Sequence, residues 1–333
     1  MHSVLLLLAM GGHGLAPQRG FATDTTITVQ SGTRLKVQNM GGDVTIKTWD
    51  RNQLRVQASH SSRTYIDFEI RGAVVEVQAH GRRGPANAVD YEITAPAWMA
   101  LELGGMYAEI SVEGTRAPIK AETLEGNITI KGGGEAITLT TVNGRIRVEG
   151  AHGRMDLHSV SEGIEVSESQ GDVTAETVSG DIHLRRVQAK NVDLQTVSGD
   201  LVYDGPVIDG GSYAMLTHSG SVTMGVPEGA NATISLSSAM GDFNSTLSLK
   251  AERSTKRRQV YRIGSGSATV DLEAFSGEIN LVRPSEISAP RRRDRDSDEA
   301  YDDDHDSQHK IKVKVKSPKP PEHDQLEEMS HAW

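Results

Sequence analysis

The chain has 333 residues and no cysteine, which excludes disulfide bonds, thiolate metal sites and cysteine nucleophiles. Its formal net charge of −10 argues against nucleic acid as a partner, because nucleic-acid binding requires a basic surface. Aromatic residues make up only 4% of the chain, whereas glycine occurs 34 times. Val, Ile, Thr and Ser recur with Gly at short intervals, a pattern that favours many short strands joined by tight turns.

The segment at residues 1–22 is similar to a secretory signal peptide. Its apolar run at residues 4–10 is too short to span a bilayer. Small residues follow this run up to Gly20, Phe21 and Ala22, as in a cleavage region. No second apolar segment offers a transmembrane anchor for the mature chain. We therefore predict export to the periplasm, the cell surface or the extracellular space.

Residues 23–102 alternate between apolar and polar side chains but repeat only loosely. Alternation with period two is typical of strands that have one buried face. We predict that these residues form irregular N-terminal strands. Such strands would cover the open end that a stack of coils leaves.

A sequence repeat occupies residues 103–246. Its blocks read TLEGNITI, TVNGRIRV, SVSEGIEV, TVSGDIHL, TVSGDLVY, THSGSVTM and SAMGDFNS, beginning at Thr123, Thr141, Ser159, Thr177, Thr196, Thr217 and Ser238. A unit of this length with two strand-like halves cannot bury its own apolar face, so repeated units stack. The spacing predicts an all-β fold, a single-stranded β-solenoid (β-helix) of about 18–21 residues per coil.

Three columns of the aligned blocks have structural meaning. The apolar column Ile128, Ile146, Ile164 and Ile182 is predicted to stack inside the solenoid. The Ser or Thr that opens each block would form a ladder whose hydroxyl groups hydrogen-bond between coils. The Gly in most blocks would mark a bend, because Gly tolerates the positive φ that a bend needs.

The repeat is interrupted at residues 247–267, which contain AERSTKRRQVYR and are predicted to project as a loop or hairpin. Residues 268–283 resume the repeat with AFSGEINL at Ala274 and are predicted to form the last coil. Residues 284–333 are rich in charge and poor in apolar side chains. We therefore expect them to form a disordered tail.

Asp181 and Asp200 are the candidate catalytic residues. They occupy the same place in successive TVSGD blocks, so their backbones would lie about 4.8 Å apart on adjacent coils. Two carboxylates about 5 Å apart are the arrangement of a retaining glycosidase. An Asp after a corner Gly is also an ordinary turn residue, and other blocks have Asn127, Arg145 and Ser221 in that place. We interpret both residues as turn residues and predict no catalytic site.

No cofactor and no metal site are predicted. The histidines His152, His158, His183 and His218 fall in different columns of the repeat. Side chains in different columns do not converge, so they cannot supply the grouped ligands that a metal ion needs.

The segments NMGGDVTIKTWDRNQLRVQAS and APAWMALELGG, together with the serial blocks, resemble the bacterial putative-adhesin family of domains of unknown function. The resemblance covers residues 25–283. It implies a β-solenoid associated with the cell envelope, and it supplies no catalytic residues to carry over.

Three functions are consistent with these observations. The first is a non-catalytic exported scaffold whose solenoid binds an envelope component, a glycan or a protein. The second is a polysaccharide hydrolase or lyase on a β-helix, which would need acids and bases that converge on successive coils. The third is an intracellular scaffold or an envelope-stress signalling accessory, which would require that residues 1–22 are not a signal peptide. We favour the first.

Overall fold

The computed structural model describes residues 23–287 except 248, 250 and 256. The predicted signal peptide, residues 1–22, and residues 288–333 of the predicted tail lie outside the described residues. The regular elements of the described part are β-strands and a single 3-10 turn, Pro284–Glu286, and this part contains no α-helix. The prediction of an all-β fold is confirmed. No helix in this part of the chain is long and apolar enough to cross a membrane.

The strands are numbered in chain order. The N-terminal strands are β1 (Thr23–Thr28), β2 (Arg34–Gly41), β3 (Val44–Trp49), β4 (Gln53–Ser59), β5 (Thr64–Arg71), β6 (Val74–Gly81) and β7 (Asp90–Pro96). The repeat contains β8 (Ala100–Tyr107), β9 (Ile110–Thr115), β10 (Ile119–Glu125), β11 (Ile128–Gly132), β12 (Gly134–Asn143), β13 (Ile146–Glu149), β14 (His152–Ser159), β15 (Ile164–Ser167), β16 (Val173–Ser179), β17 (Ile182–Arg185), β18 (Asn191–Ser198), β19 (Leu201–Asp204), β20 (Ser212–Ser219) and β21 (Val222–Gly225). The C-terminal strands are β22 (Ala232–Ser238), β23 (Phe243–Ser245), β24 (Ala251–Ser254), β25 (Arg258–Ile263), β26 (Ala268–Ser276) and β27 (Ile279–Val282).

The strands form two long sheets, and each coil of the solenoid contributes one strand to each. Sheet A has 13 strands and sheet B has 14. In the coil made of β10 and β11, for example, β10 lies in sheet B and β11 in sheet A. Each strand of the repeat pairs in parallel with the equivalent strand of the next coil, such as β11 with β13 and β13 with β15. The β-solenoid prediction is confirmed.

The core lies between the two sheets and is built from stacked columns. The first column lies in sheet A and consists of Ile128, Ile146, Ile164 and Ile182. Each of these residues pairs with the next one along the stack, and all four are fully buried. A second column in sheet B contains Ile119, Ile137, Met155, Val173, Val192 and Tyr213. The predicted interior column is therefore confirmed. Along each strand, buried and outward side chains alternate because the side chains of a strand have a two-residue period.

The connection from β19 to β20, residues 205–211, is longer than the one from β17 to β18, residues 186–190, and two tyrosines pack beside it. Tyr203 and Tyr213 take the places that Leu184 and Val192 have one coil earlier, and their ring centroids lie 5.4 Å apart. Both hydroxyl groups donate to backbone carbonyls, that of Tyr203 to Pro206 at 2.9 Å and that of Tyr213 to Ala189 at 2.9 Å. Burial raises the pKa of both phenols. The longer step of the repeat is accommodated because these larger side chains fill the extra space.

At the N-terminal end the spatial order of coils differs from the chain order. The coil of β2 and β3 lies directly against the coil of β8 and β9. The coil of β6 and β7, which comes later in the chain, lies outside it. Part of the segment predicted as irregular thus forms a coil in register with the repeat.

The same exchange occurs at the C-terminal end. The strands β26 and β27 pair with β20 and β21 on one side and with β22 and β23 on the other. The last coil in the sequence is therefore inserted between the two coils that precede it. The outermost coil is the one that contains β22 and β23.

Antiparallel strands cover both ends of the parallel stack. In sheet A, β4 pairs antiparallel with β7, and β1 pairs antiparallel with β4. In sheet B, β5 pairs with β6 at one end, and the hairpin of β24 and β25 pairs with β22 at the other. That hairpin lies in the segment predicted as an insertion, residues 247–267. Such covering strands limit the exposed edge that would otherwise recruit another chain.

Candidate functional site

The Ser or Thr that opens each block lies at the corner where a coil passes from sheet B to sheet A. In six successive coils this residue is buried, and its hydroxyl donates to a backbone carbonyl of the preceding coil. The donor–acceptor pairs are Thr123–Ala108, Thr141–Gly126, Ser159–Gly144, Thr177–Glu162, Thr196–Gly180 and Thr217–Gly199, at 3.0 to 3.2 Å. The expected hydroxyl ladder is present, but each bond goes to the backbone and not to the next hydroxyl. The ladder ties successive corners together.

The corner glycines are needed because neighbouring corners approach closely. A Cβ on Gly144 would overlap the carbonyl oxygen of Gly126, and a Cβ on Gly199 would overlap that of Gly180. Gly199 also has a φ of +156°, whereas Gly144 does not have a left-handed φ. The predicted reason, a positive φ, therefore accounts for only some of these positions. The close contact between coils accounts for the column as a whole.

Asp181 and Asp200 lie on successive coils of this corner, and both are exposed. An oxygen of Asp181 accepts a hydrogen bond from the backbone N–H of Asp200 at 2.9 Å. An oxygen of Asp200 accepts one from the backbone N–H of Ser221 at 2.7 Å. Asn127 makes the equivalent bond earlier in the column, since its side-chain oxygen accepts a hydrogen bond from the backbone N–H of Arg145 at 2.8 Å. The structure thus brings the two aspartates together and gives each of them a bond to the next corner.

The histidines singled out in the sequence do not meet at one place. His183 lies on the outer face of sheet A, in the strand that follows Asp181, whereas His158 lies on sheet B beside Glu176, with 3.4 Å between its Nδ1 and the carboxylate. His218 stacks on Phe275. Among the described residues there is no group of three or more His, Asp or Glu side chains that could hold a metal ion.

A row of mostly apolar side chains runs along the outside of the same corner, in most coils one residue after the buried Ser or Thr. We call it the corner ridge, and its members are Met40, Met106, Leu124, Val142, Val160, Val178, Val197, His218 and Phe275. The residue pairs Thr177–Thr196 and Ser179–Ser198 bracket Val178 and Val197, which places these two side chains on adjacent coils. Val178 is 47% exposed and Val197 is 51% exposed. The row is therefore a contiguous, partly exposed apolar strip on the outside of the solenoid, unlike apolar side chains that are scattered singly over a surface.

Two aromatic members of the ridge, His218 and Phe275, stack on each other. The rings of His218 and Phe275 lie 4.6 Å apart and only 8° from parallel. Beside them, Val197 and Leu216 line a shallow depression on the outer face of sheet B. Leu216 is itself 42% exposed, which widens the apolar surface at this end of the ridge.

Carboxylates lie on both sides of this part of the ridge. On sheet B, two glutamates stand two residues before Val178 and Phe275, and on the other side three acids follow the ridge by three residues. We call these five exposed side chains the flanking acids: Glu176, Glu273, Asp181, Asp200 and Glu278.

The flanking acids differ from other acids of the solenoid in their partners. Glu165 and Glu168 are paired with arginines. Apart from Arg185, which lies at the far end of β17, no Lys or Arg in the part of the chain that the structure describes forms an ion pair with a flanking acid. Glu176 lies beside His158, and Glu278 accepts a hydrogen bond from the amide of Asn244.

The corner ridge was not predicted from the sequence. The signal was present, because the second residue of successive blocks reads Leu, Val, Val, Val, Val, His, Ala and Phe. In a single strand such a residue is not distinguishable from a core residue. Only the position of the corner shows that this column faces outward.

Comparisons with known proteins identify a family. The family model described as Toastrack DUF4097 matches residues 32–282. No curated protein matches the chain. Two solved structures are similar to it: a putative cell adhesion protein from Clostridium sporogenes ATCC 15579, with 12% identity, 78% of this chain and 99% of that chain covered and a TM-score of 0.20, and a putative adhesin from Parabacteroides distasonis ATCC 8503, with 13% identity, 78% and 96% covered and a TM-score of 0.27.

The matched residues include every coil of the solenoid from β2 to β27. The resemblance inferred from the sequence is therefore confirmed at the level of the family. The chain belongs to the Toastrack DUF4097 family.

Proposed function

We propose that this protein is a non-catalytic binding scaffold of the bacterial cell envelope that contacts its ligand through the corner ridge. The observation that carries the proposal is the ridge itself, with Leu124, Val160, Val178, Val197 and Phe275 each between 42% and 51% exposed. An apolar row on the outside of a folded protein is costly in water unless a partner covers it. A solenoid suits this role because successive coils present the same face.

The chemistry at Asp181 and Asp200 supports a non-catalytic role. Each carboxylate has an oxygen engaged by the backbone N–H of the next coil. Asn127 replaces a carboxylate in the same column and makes the same bond. Because an amide can make this bond as well as a carboxylate can, we assign the position a structural role in the corner. A retaining glycosidase would instead need two free carboxylates that face a substrate.

Export is proposed from the sequence of residues 1–22, with their apolar run and small residues up to Ala22. The test is cell fractionation of a bacterium that produces the full-length chain, followed by N-terminal sequencing of the purified protein. A processed N-terminus near residue 23 in an envelope or secreted fraction is expected. An unprocessed chain in the cytoplasmic fraction would refute export and favour an intracellular scaffold.

Binding through the ridge is tested with a triple variant, Leu124→Ser, Val160→Ser and Val178→Ser. Purified wild type and variant are mixed with separated envelope preparations, namely membranes, cell-wall sacculi and surface polysaccharide, and the bound fraction is measured by sedimentation. The control variant carries two changes of the same kind away from the ridge, Ile70→Ser and Ile208→Ser, at exposed apolar residues.

We expect the wild type and the control to sediment with one of the preparations and the ridge variant to lose most of that binding. Equal binding by all three proteins would contradict the proposal. Absence of binding by the wild type to every preparation would contradict it too. Circular dichroism and the melting temperature of each variant show whether the fold is retained.

A further inference from the structure

We propose that the ridge segment formed by Val178, Val197, His218 and Phe275 receives a cationic amphipathic α-helix of a partner protein. This inference rests on the proposed function and names the chemistry of its partner. The apolar face of the helix would lie along the ridge, and its Lys or Arg side chains would reach the flanking acids on both sides.

This segment of the ridge is surrounded by negative charge. Five exposed carboxylates flank this segment, two on the side of sheet B and three on the side of sheet A. Arginines pair with Glu165 and Glu168, whereas the five flanking acids are exposed to an incoming cation. Asp181 and Asp200 each use one oxygen for a backbone N–H, which leaves the other oxygen for a partner.

Basic side chains also lie beyond the two ends of this segment. On one side, two coils before Val178, Arg145 is already held by Glu162 and Glu165, at 3.9 Å and 3.7 Å. At the other end, Arg258 lies on β25, outside β22, and donates to Ser235. Basic side chains therefore limit the acidic segment to the four coils that contain the four ridge residues.

The charge of this segment also selects among partners. An anionic glycan or a second copy of this acidic chain would be repelled from it.

The spacing of the ridge residues along the solenoid favours a helix as the partner. Adjacent coils bring successive ridge residues about 4.8 Å apart along the solenoid axis. Side chains on one face of an α-helix recur about every 5.4 Å, so a helix parallel to the axis stays nearly in step over four coils. Same-face residues of an extended strand recur about every 6.7 Å and fall out of step after two. A helix therefore matches the ridge better than a strand does.

The segment also presents an apolar surface that a helix can cover. Val178, Val197 and Phe275 are each close to half exposed, and Leu216 adds to them on the side of sheet B. The stacked rings of His218 and Phe275 provide a flat platform. This platform suits the Leu or Phe side chains that an amphipathic helix presents at every third or fourth position.

The experiment uses the full chain and a fluorescently labelled 18-residue peptide of Leu and Lys arranged as an amphipathic helix. A peptide of the same composition in scrambled order, which has no apolar face, is the ligand control. Binding is measured by fluorescence anisotropy at low and at physiological ionic strength. The charge variant carries Glu176→Gln, Glu273→Gln and Glu278→Gln, and the ridge variant carries Val178→Ser and Val197→Ser.

A matched control variant removes the same number of charges from the outer face of sheet A, with Glu92→Gln, Glu113→Gln and Glu149→Gln. We expect the amphipathic peptide to bind the wild type and the control variant alike. The charge variant should bind about tenfold more weakly, because exposed ion pairs contribute modestly and add up over three sites. The ridge variant should show a comparable loss.

Equal binding of the scrambled peptide would overturn the inference, and so would equal weakening by the control variant, since either result would mean attraction to net charge alone. No binding of the amphipathic peptide to the wild type would overturn it as well. If the envelope preparations still bound in a ridge-dependent manner in that case, the proposed function would stand and only its helical partner would be refuted.

Discussion

Individual side chains and N–H groups hold the corner of each coil to the adjacent coils. Thr196, for example, donates to the carbonyl of Gly180 at 3.2 Å, and the N–H of Asp200 donates to Asp181 at 2.9 Å. Each bond is an ordinary hydrogen bond, with a net contribution of about 1 kcal/mol. Because the pattern recurs from coil to coil, small contributions accumulate along the stack.

The glycine column can be tested by comparing Gly144 with Gly150. Gly144 lies in a close contact without a left-handed φ, whereas Gly150 has a φ of +66° and open space around it. Gly144→Ala should lower the free energy of unfolding by about 2 kcal/mol or more, as overpacking does. Gly144→Asn should lower the free energy of unfolding at least as much as Gly144→Ala does.

At Gly150 a substitution is destabilising only because the backbone has a left-handed φ. Asn adopts the left-handed conformation more easily than Ala does. Gly150→Asn should therefore be less destabilising than Gly150→Ala. The measurement is urea unfolding of the four variants. A neutral effect of Gly144→Ala would show that the corner can separate, against the close-contact explanation.

The double change Asp181→Asn and Asp200→Asn is expected to leave stability almost unchanged. An Asn oxygen can accept the same backbone N–H, as Asn127 does from Arg145, and the loss of two neighbouring like charges relieves repulsion. Purified wild type and variant should both fail to release new reducing ends from neutral and acidic polysaccharides. Hydrolysis by the wild type that the variant lacks would establish the pair as catalytic.

His183 is expected to make stability depend on pH. Burial lowers the pKa of its imidazole, against the raising effect of the carboxylates of Asp181, Glu165 and Asp200, while the charge of Arg185 lowers it further. In the unfolded chain the pKa has its ordinary value of about 6.5. As the pH falls through that value, the unfolded chain binds the proton first, and the folded state loses stability until its own lower pKa is passed.

The variant His183→Val tests this dependence, since Val202 fills the equivalent place one coil on. Its free energy of unfolding should fall less than that of the wild type between pH 7.5 and pH 5.5, with urea unfolding as the measurement. The same decline in both proteins would assign the pH dependence to other groups.

Each strand, in turn, owes its stability to its buried side chains and to the two strands that pair with it. Ile164 pairs with Ile146 on one side and Ile182 on the other, and all three are fully buried. A strand of four residues such as β15 has little stability alone. It persists because both neighbours pair with it and because its inward side chains complete the core.

Substitutions at Ile164 should separate packing from charge. Ile164→Val removes one methylene group and should cost about 1 kcal/mol. Ile164→Asp places a carboxylate inside the stack and should cost several kcal/mol. Thermal unfolding followed by circular dichroism measures both changes, and a near-neutral effect of Ile164→Asp would contradict the interior assignment.

Across the solenoid as a whole, the exchange of coils makes each terminal region depend on a distant part of the chain. The outermost strands β22 and β23 are held by β26, β27 and β25, which follow them in the sequence. The solenoid therefore differs from a stack in which every repeat contacts only its neighbours in sequence. Its C-terminal coils should fold as one unit.

Truncation after residue 247 should accordingly be severe. It removes the coil of β26 and β27, whose Val270, Leu272, Ile279 and Leu281 are buried. At about 1.5 to 3 kcal/mol for each side chain, the loss amounts to about 6 kcal/mol or more, and β22 and β23 lose their partners. Truncation after residue 287 is the control and should leave the melting temperature within a few degrees. Equal melting temperatures for the two truncations would refute the inserted position of the last coil.

The coil itself could be predicted from local signals in the sequence. The period, the alternation of the isoleucine column and the turn residues of TVSGD were each sufficient, because a strand or a corner is formed by consecutive residues. The placement of Asp181 beside Asp200 also followed from the period alone.

The order of the coils, the reason for the glycine column and the existence of the corner ridge could not be predicted in this way. Coils that share one apolar pattern are interchangeable partners, so the pattern cannot say that β26 lies between β20 and β22. Whether Val178 faces the core or the solvent depends on where the chain turns between the two sheets. These features arise from contacts between distant residues. A repeat with the same pattern in every unit does not specify which units make those contacts.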